Sequence, residues 1–146
     1  AEFNIAFDPE AAHVVFTAFP HLKVSDWEAT VAHGLPLPQA EQWLQADDAR
    51  ARFYELISRK TRALSEDSKG DRWFTADALA MAWALNPEGA LRVESRPLSI
   101  ELNGTFSRGA TVVDWNRQTG QPDNCELLMA YDQQRFEALV RQALGA

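Results

Sequence analysis

The sequence predicts an α/β fold in which a series of helices leads into a three-stranded antiparallel meander and one closing helix. Three observations predict it. Helical periodicity dominates residues 9–85, short runs rich in branched residues separated by turn formers occupy 98–131, and an Asp-led apolar stripe ends the chain. With 146 residues, 46% of them hydrophobic, one substantial core is expected, and residues 1–146 are taken as one domain.

Asp8 can cap free amides, Pro9 suits the first helical position and Glu10 complements the positive helix end, so a helix is expected from about Pro9 to Thr17. Leu22 to Val24 is an extended candidate. Gly34-Leu35-Pro36-Leu37-Pro38 is expected to be a loop, because two prolines exclude a continuing helix or a central strand. From Gln39 to about Leu64, Trp43, Leu44, Phe53, Leu56, Ile57 and Leu64 mark a pair of amphipathic helices, with Asp47 as cap of the second. Ser65 to Asp71 is a polar turn in this reading. Ala76 to Leu85 is apolar nearly all round except for Asp77, the pattern of a buried helix.

Beyond Gly89, Leu98, Ile100 and Leu102 alternate with polar residues, and Thr111–Trp115 and Leu127–Tyr131 supply the second and third strands of the meander. Asp132 caps the last helix, whose Phe136, Leu139, Val140 and Leu144 share one stripe.

A net charge of −7 and a pI near 4.9 argue against nonspecific nucleic-acid binding and against acidic membrane surfaces. Cys125 has no partner for an internal disulfide, and no Cys/His group has zinc spacing, which favours a reducing, cytoplasmic setting. Neither a signal-like start nor an apolar run long enough to span a membrane is visible.

Asp77 is the most informative residue. A carboxylate in the first turn of so apolar a helix is costly unless it caps amides or meets a cation, and both readings stay open on sequence alone. Glu2 and Asn4 flank Phe3 in an alternation that would put both polar side chains on one face of an extended segment, where they could hold adjacent sugar hydroxyls or simply face solvent at the terminus. Trp73 lies four residues before Asp77, one helical turn, and could face the same cavity. His13, His21 and His33 are scattered too widely for a histidine metal site or a Ser/His/Asp triad, and no phosphate-binding glycine motif is present.

Ala1-Glu2-Phe3-Asn4-Ile5 followed by Asp8-Pro9-Glu10-Ala11-Ala12 resembles the central motif of the inosine-uridine preferring nucleoside hydrolase family. Asp77-Ala78-Leu79-Ala80-Met81-Ala82 resembles that family's Asp-Pro-Leu-Ala-Val-Ala helix, and Ser107-Arg108-Gly109-Ala110-Thr111-Val112-Val113-Asp114-Trp115 its Thr-Arg-Gly-x-Thr-Val-Val-Asp strand. The resemblance covers essentially the whole chain and corresponds to the C-terminal half of a nucleoside hydrolase-like open sheet. It implies a calcium-dependent N-ribohydrolase that splits a purine or pyrimidine ribonucleoside into ribose and base. Asp77 then corresponds to a calcium ligand, Glu2 and Asn4 to ribose-hydroxyl ligands, and Trp73 to a residue that could stack on the base, as tryptophans do in purine-selective relatives.

The family's Asp-Thr-Asp-Pro-Gly-x-Asp-Asp motif, which supplies the other calcium carboxylates and the general base, has no counterpart here. The chain is therefore expected to be a fragment, with its N-terminal half absent, partnered by that half or by another copy in a homo-oligomer. Ala76 stands where many members place a proton-donating His. Asp26-Trp27-Glu28 departs from the commoner Leu-Asp-Val-Thr strand end, so base specificity is not assigned. The alternative, from a different class, is a non-catalytic small-ligand or protein-interaction module that keeps the fold.

Overall fold

The structure, a computed structural model, describes residues 2–146, with only the backbone described for residues 64–69. Ala1 of the first motif and the Leu64 side chain, assigned above to the amphipathic stripe, lie outside the described residues. In chain order the helices are α1 (Phe3–Phe7), α2 (Pro9–Ala18), α3 (Trp27–Ala32), α4 (Leu37–Leu44), α5 (Ala49–Lys69), α6 (Ala76–Leu85) and α7 (Gln133–Leu144). The strands are β1 (Leu22–Val24), β2 (Leu35–Pro36), β3 (Arg72–Trp73), β4 (Ala90–Arg96), β5 (Leu98–Ile100), β6 (Thr111–Val113) and β7 (Cys125–Tyr131). They form two compact units, residues 1–24 with 93–129, and residues 25–92 with 130–146.

In the first unit β1 runs parallel to β7, with Leu22 opposite Cys125 and Val24 opposite Leu127, in a sheet of order β1-β7-β4. β5 and β6 form a separate antiparallel pair in which Leu98 faces Val113 and Ile100 faces Thr111. Leu98, Ile100, Cys125 and Leu127 make the buried centre, and Ile5, Ala12 and Phe16 from the two leading helices pack onto it. The expected meander is thus corrected: its first two strands pair, but the third joins a different sheet. Asn124 explains the departure. Its amide nitrogen donates to the Phe16 and Leu98 carbonyls at 3.0 and 2.9 Å, and its side-chain oxygen accepts from Leu98 N–H at 2.8 Å. Its own carbonyl accepts from Leu22 N–H at 3.1 Å, which draws β7 alongside β1.

Two charged residues of the Ser107–Trp115 motif are structural. Arg108 joins Glu10 at 2.6 and 2.7 Å and holds that carboxyl below its ordinary range. Asp114 accepts from the backbone of Gln118 and Thr119 and from the Thr119 hydroxyl, closing the turn after β6 and likewise lowering its pKa.

In the second unit α4, α5 and α6 pack with α7, and β2 pairs antiparallel with β3. The segment expected to be a loop therefore contains a two-residue strand, with Pro36 opposite Arg72, and α4 begins at Leu37 with Pro38 in its first turn, where no N–H is needed. α5 runs on through the expected polar turn to Lys69, because Ser65 to Ser68 weaken a helix without breaking it; Gly70, at φ +69°, ends it. Its cap is Asp48, not Asp47: the Asp48 carboxylate accepts from Arg50 N–H at 2.7 Å, whereas exposed Asp47 pairs with Arg52. β4 is an additional strand that the sequence reading did not anticipate; Leu91 and Val93 alternate with Arg92 and Glu94, but both apolar side chains are exposed. Tyr131, fully buried, donates its hydroxyl to the carbonyls of Ala82 and Asn86, and Gly89 lies so close to the phenol ring that a Cβ there would overlap it.

Two outcomes test this description. Asn124→Ala should destabilise the chain by about 2 to 3 kcal/mol in urea unfolding and expose the Leu98 amide to exchange, since buried partners are left unsatisfied; unchanged Leu98 protection would contradict the assigned clamp. Hydrogen bonds from Arg50 hold the Asp48 carboxyl at about 2. Its folded pKa lies below the unfolded value of about 3.9, so its stabilising share is complete above that value and disappears as pH falls through about 2. A carboxyl-carbon NMR titration should place the Asp48 midpoint near 2, and one near 4 would remove the Arg50 contact.

Candidate functional site

The resemblance assigns site residues to both units, and each unit builds its own group. In the first unit, Glu2 and Asn4 come together through a helix start. α1 replaces the expected extended segment: Glu2 occupies the cap position, and its carboxylate accepts from the backbone N–H of Asn4 at 2.9 Å and of Ile5 at 3.2 Å. The Asn4 side-chain amide lies 3.4 Å from the other Glu2 oxygen. Two alternating pairs are too short to distinguish period 2 from period 3.6, and a glutamate able to reach free amides decides for helix. The adjacency expected of the pair survives the change of backbone. Both side chains are exposed, while Ile5 packs into the core and Phe3 stays outside against Phe7.

In the second unit, Trp73 and Asp77 line one pocket of about 290 Å³. Trp73 reaches it from β3, not from a preceding helical turn. It is buried to 4% exposure, with its ring 5.7 Å from that of Tyr54, so it forms the pocket wall and presents little of its face for stacking. Asp77 sits in the first turn of α6, exposed, and no hydrogen bond or ion pair to its carboxylate forms among the described residues. It is not the cap. Thr75 holds that position and makes no side-chain capping bond. The choice left open by the sequence is thereby narrowed to a carboxylate facing the pocket.

The opposite wall is α5, where Tyr54, Ile57, Ser58 and Thr61 recur at helical spacing. Ser58 donates to the Tyr54 carbonyl at 2.6 Å and accepts from Arg62, which fixes this wall to the helix backbone. Burial raises the Tyr54 phenol pKa, and the nearby Asp77 charge raises it further. Sequence reasoning missed Tyr54, Ser58 and Thr61. Their spacing was legible, but Asp77, which they face across the pocket, lies on another helix. Thr75, two residues before Asp77, buries its hydroxyl oxygen without a partner among the described residues. A larger apolar cavity of about 460 Å³ adjoins this one through Tyr54 and Trp73, but it contains no carboxylate and offers a place for apolar contact rather than for chemistry.

An exposed carboxylate and an unsatisfied hydroxyl are hard oxygen donors, the kind calcium takes. They fit in type but are too few, since calcium needs about six to eight oxygens. Among the described residues no group of three or more His, Cys, Asp or Glu comes together. These donors alone are no cation site; they amount to a share of one at most.

A family model for the inosine-uridine preferring nucleoside hydrolases matches residues 1–138, a span that holds all three motifs, and the chain is a member of that family. It is 30% identical over 155 residues to the pyrimidine-specific ribonucleoside hydrolase RihA of Enterobacter sp. (strain 638), covering 99% of this chain and 47% of the relative. The RihA of Klebsiella pneumoniae (strain 342) is 31% identical with the same coverage of both chains. The chain thus spans about half the length of the curated relatives it matches. Among solved structures, an inosine-guanosine nucleoside hydrolase superposes with a TM-score of 0.86 at 26% identity, over 99% of this chain and 46% of that one. A purine-preferring ribonucleoside hydrolase from Gardnerella vaginalis shares the fold, with a TM-score of 0.83 at 20% identity over 99% and 46%.

If Asp77 lies beside the Tyr54 phenol as described, Asp77→Asn should lower the Tyr54 pKa while leaving Tyr131, the other tyrosine, unmoved. Absorbance titration at alkaline pH follows both; an unshifted profile would separate the two side chains.

Proposed function

We propose that this chain supplies part of the site of a calcium-dependent ribonucleoside N-ribohydrolase, which cleaves the N-glycosidic bond of purine or pyrimidine ribonucleosides. One observation carries the reading: the family's Asp77 heads an apolar helix, neither caps it nor pairs among the described residues, and faces a pocket large enough for part of a small ligand. The RihA and inosine-guanosine relatives support ribonucleosides as the substrate class.

In this proposal Asp77 contributes one carboxylate to the cation. Glu2 and Asn4 hold ribose hydroxyls: the carboxylate accepts and the amide both donates and accepts, a match to a vicinal diol. The capping bonds from Asn4 and Ile5 N–H fix one Glu2 oxygen, and the other stays beside the Asn4 side-chain amide. Bound calcium would supply a lowered pKa to a coordinated water. Removal of that water's proton requires a general base, and bond cleavage develops oxocarbenium character on the sugar. The base is assigned to the complementary half of the fold. Ala76 has no proton to give a departing base, so that proton comes from another group. Trp73 and Tyr54 would border the base by apolar and edge contact.

The reaction is thus ascribed to an assembly of this chain with the complementary half, in a homo-oligomer. Its single buried cysteine supports a cytoplasmic setting, and no helix among the described residues is long and apolar enough to cross a membrane.

In an assembly that contains both halves, Asp77→Ala should reduce calcium-dependent release of base from inosine or uridine by more than about 100-fold, beyond the loss typical of residues that merely support a metal ligand. Glu2→Gln should raise KM for the ribonucleoside more than it raises the inhibition constant of the free base, which carries no ribose hydroxyls. Retained turnover in Asp77→Ala would exclude the proposed ligand role, whereas an assembly of both halves that releases no base at all would favour the non-catalytic module.

A further inference from the structure

α6 leaves one side of itself uncovered. Asp77, Ala80, Met81, Ala84 and Leu85 recur at i, i+3, i+4, i+7 and i+8, and all five are exposed, Met81 to 57% and Leu85 to 71%. They form one continuous stripe over the length of the helix, opposite the buried Leu79, Ala82 and Trp83. Asp77 is the only charged residue in α6. The exposed side of α5 differs, since Arg52, Arg59 and Lys60 interrupt its apolar residues there. A helix apolar all round is one made to be covered on both sides.

The solved relatives indicate the cover. The chain superposes over 99% of its length on 46% of two of their chains with TM-scores of 0.86 and 0.83, so each of those chains holds about as much protein again beyond the matched part. We infer that the Ala80, Met81, Ala84 and Leu85 face is the docking seam for a polypeptide carrying the complementary half of the nucleoside hydrolase fold. That polypeptide can precede these residues in one chain or arrive as a separate one. The inference rests on the family reading above and deepens it: Asp77 heads the same stripe, so the seating that covers Met81 and Leu85 also brings the partner against the carboxylate. The partner's matching surface is an apolar helix or strand face with oxygen donors at the end that meets Asp77. A second copy of this chain would bring the same half again and leave both folds incomplete.

The test mixes the 146-residue chain with the N-terminal half of the Klebsiella pneumoniae RihA relative and measures association by sedimentation and hydrogen exchange. A one-to-one complex is expected, with α6 amides protected on binding. Met81→Glu and Ala84→Glu should each weaken it at least tenfold, whereas Val112→Glu, exposed on β6, should leave it unchanged. Both seam positions are exposed, so each variant should keep the circular dichroism of the parent; Leu85→Ser gives a milder second probe of the same face. No complex, a complex indifferent to all three seam variants, or a dimer of this chain that Met81→Glu dissolves would overturn the inference. Binding is read without substrate, so a seam-dependent complex that releases no base leaves the seam standing and removes the hydrolase reading. Base release that ignores the seam variants does the reverse.

Discussion

One amide side chain sets the architecture of the first unit. Asn124 stands where the chain enters β7, and it must place two N–H groups and one carbonyl oxygen in a partly buried setting. It does so on the backbones of α2 and β5, while its own carbonyl engages β1. No hydrophobic side chain could substitute, because three backbone groups would lose their partners together. The apolar residues of β7 then fall against Leu98 and Ile100, and the leading helices have a surface to cover. The ion pair between Arg108 and Glu10 links the same helix to the loop before β6, which explains why an arginine in a motif associated with activity acts on the scaffold.

The second unit solves a different problem, that of holding a charged group on an apolar helix without neutralising it. α6 is anchored from behind by Tyr131, whose hydroxyl meets carbonyls near the end of the helix, and by the backbone contact of Asp132 N–H with Gly89 carbonyl at 2.8 Å. His33 supports that anchor, accepting from Tyr131 N–H at one ring nitrogen while the other faces Gln133. With the C-terminal end fixed, the first turn of α6 presents Asp77 at a constant position beside Trp73 and Tyr54. In the proposed role, a carboxylate held in this way would need little reorganisation on meeting a cation.

Much of this was legible from residue order. Asp8 and Pro9 start α2, Leu22 to Val24 form β1, and Asp132 caps α7 with Phe136 and Leu144 buried, all by local rules that depend on neighbours within one turn. Some misreadings are local, such as Asp48 for Asp47 as cap and the helical start at Glu2, and the larger ones concern partners distant in sequence. Whether β7 pairs with β6 or with β1 is decided by Asn124 acting across more than a hundred residues, to Phe16, and no periodicity records that. Pro36 forbids a central strand but not a two-residue edge against Arg72. At the site, Asp77 stood out because charge is rare on such a helix, and Glu2 beside Asn4 because the two are close in sequence. Tyr54, Ser58 and Thr61 were hidden because their grouping with Asp77 exists only in three dimensions.

Cys125 gives the first unit an internal chemical reporter. Its thiol is buried at 2% exposure, donates to the Arg96 carbonyl at 3.3 Å, and is pushed up in pKa by that burial. As the chain's single cysteine, it reacts with a thiol reagent only when the sheet around it opens and the thiolate forms. The rate of its modification therefore measures how often β7 separates from its neighbours, which turns one packed residue into a gauge of the unit's breathing.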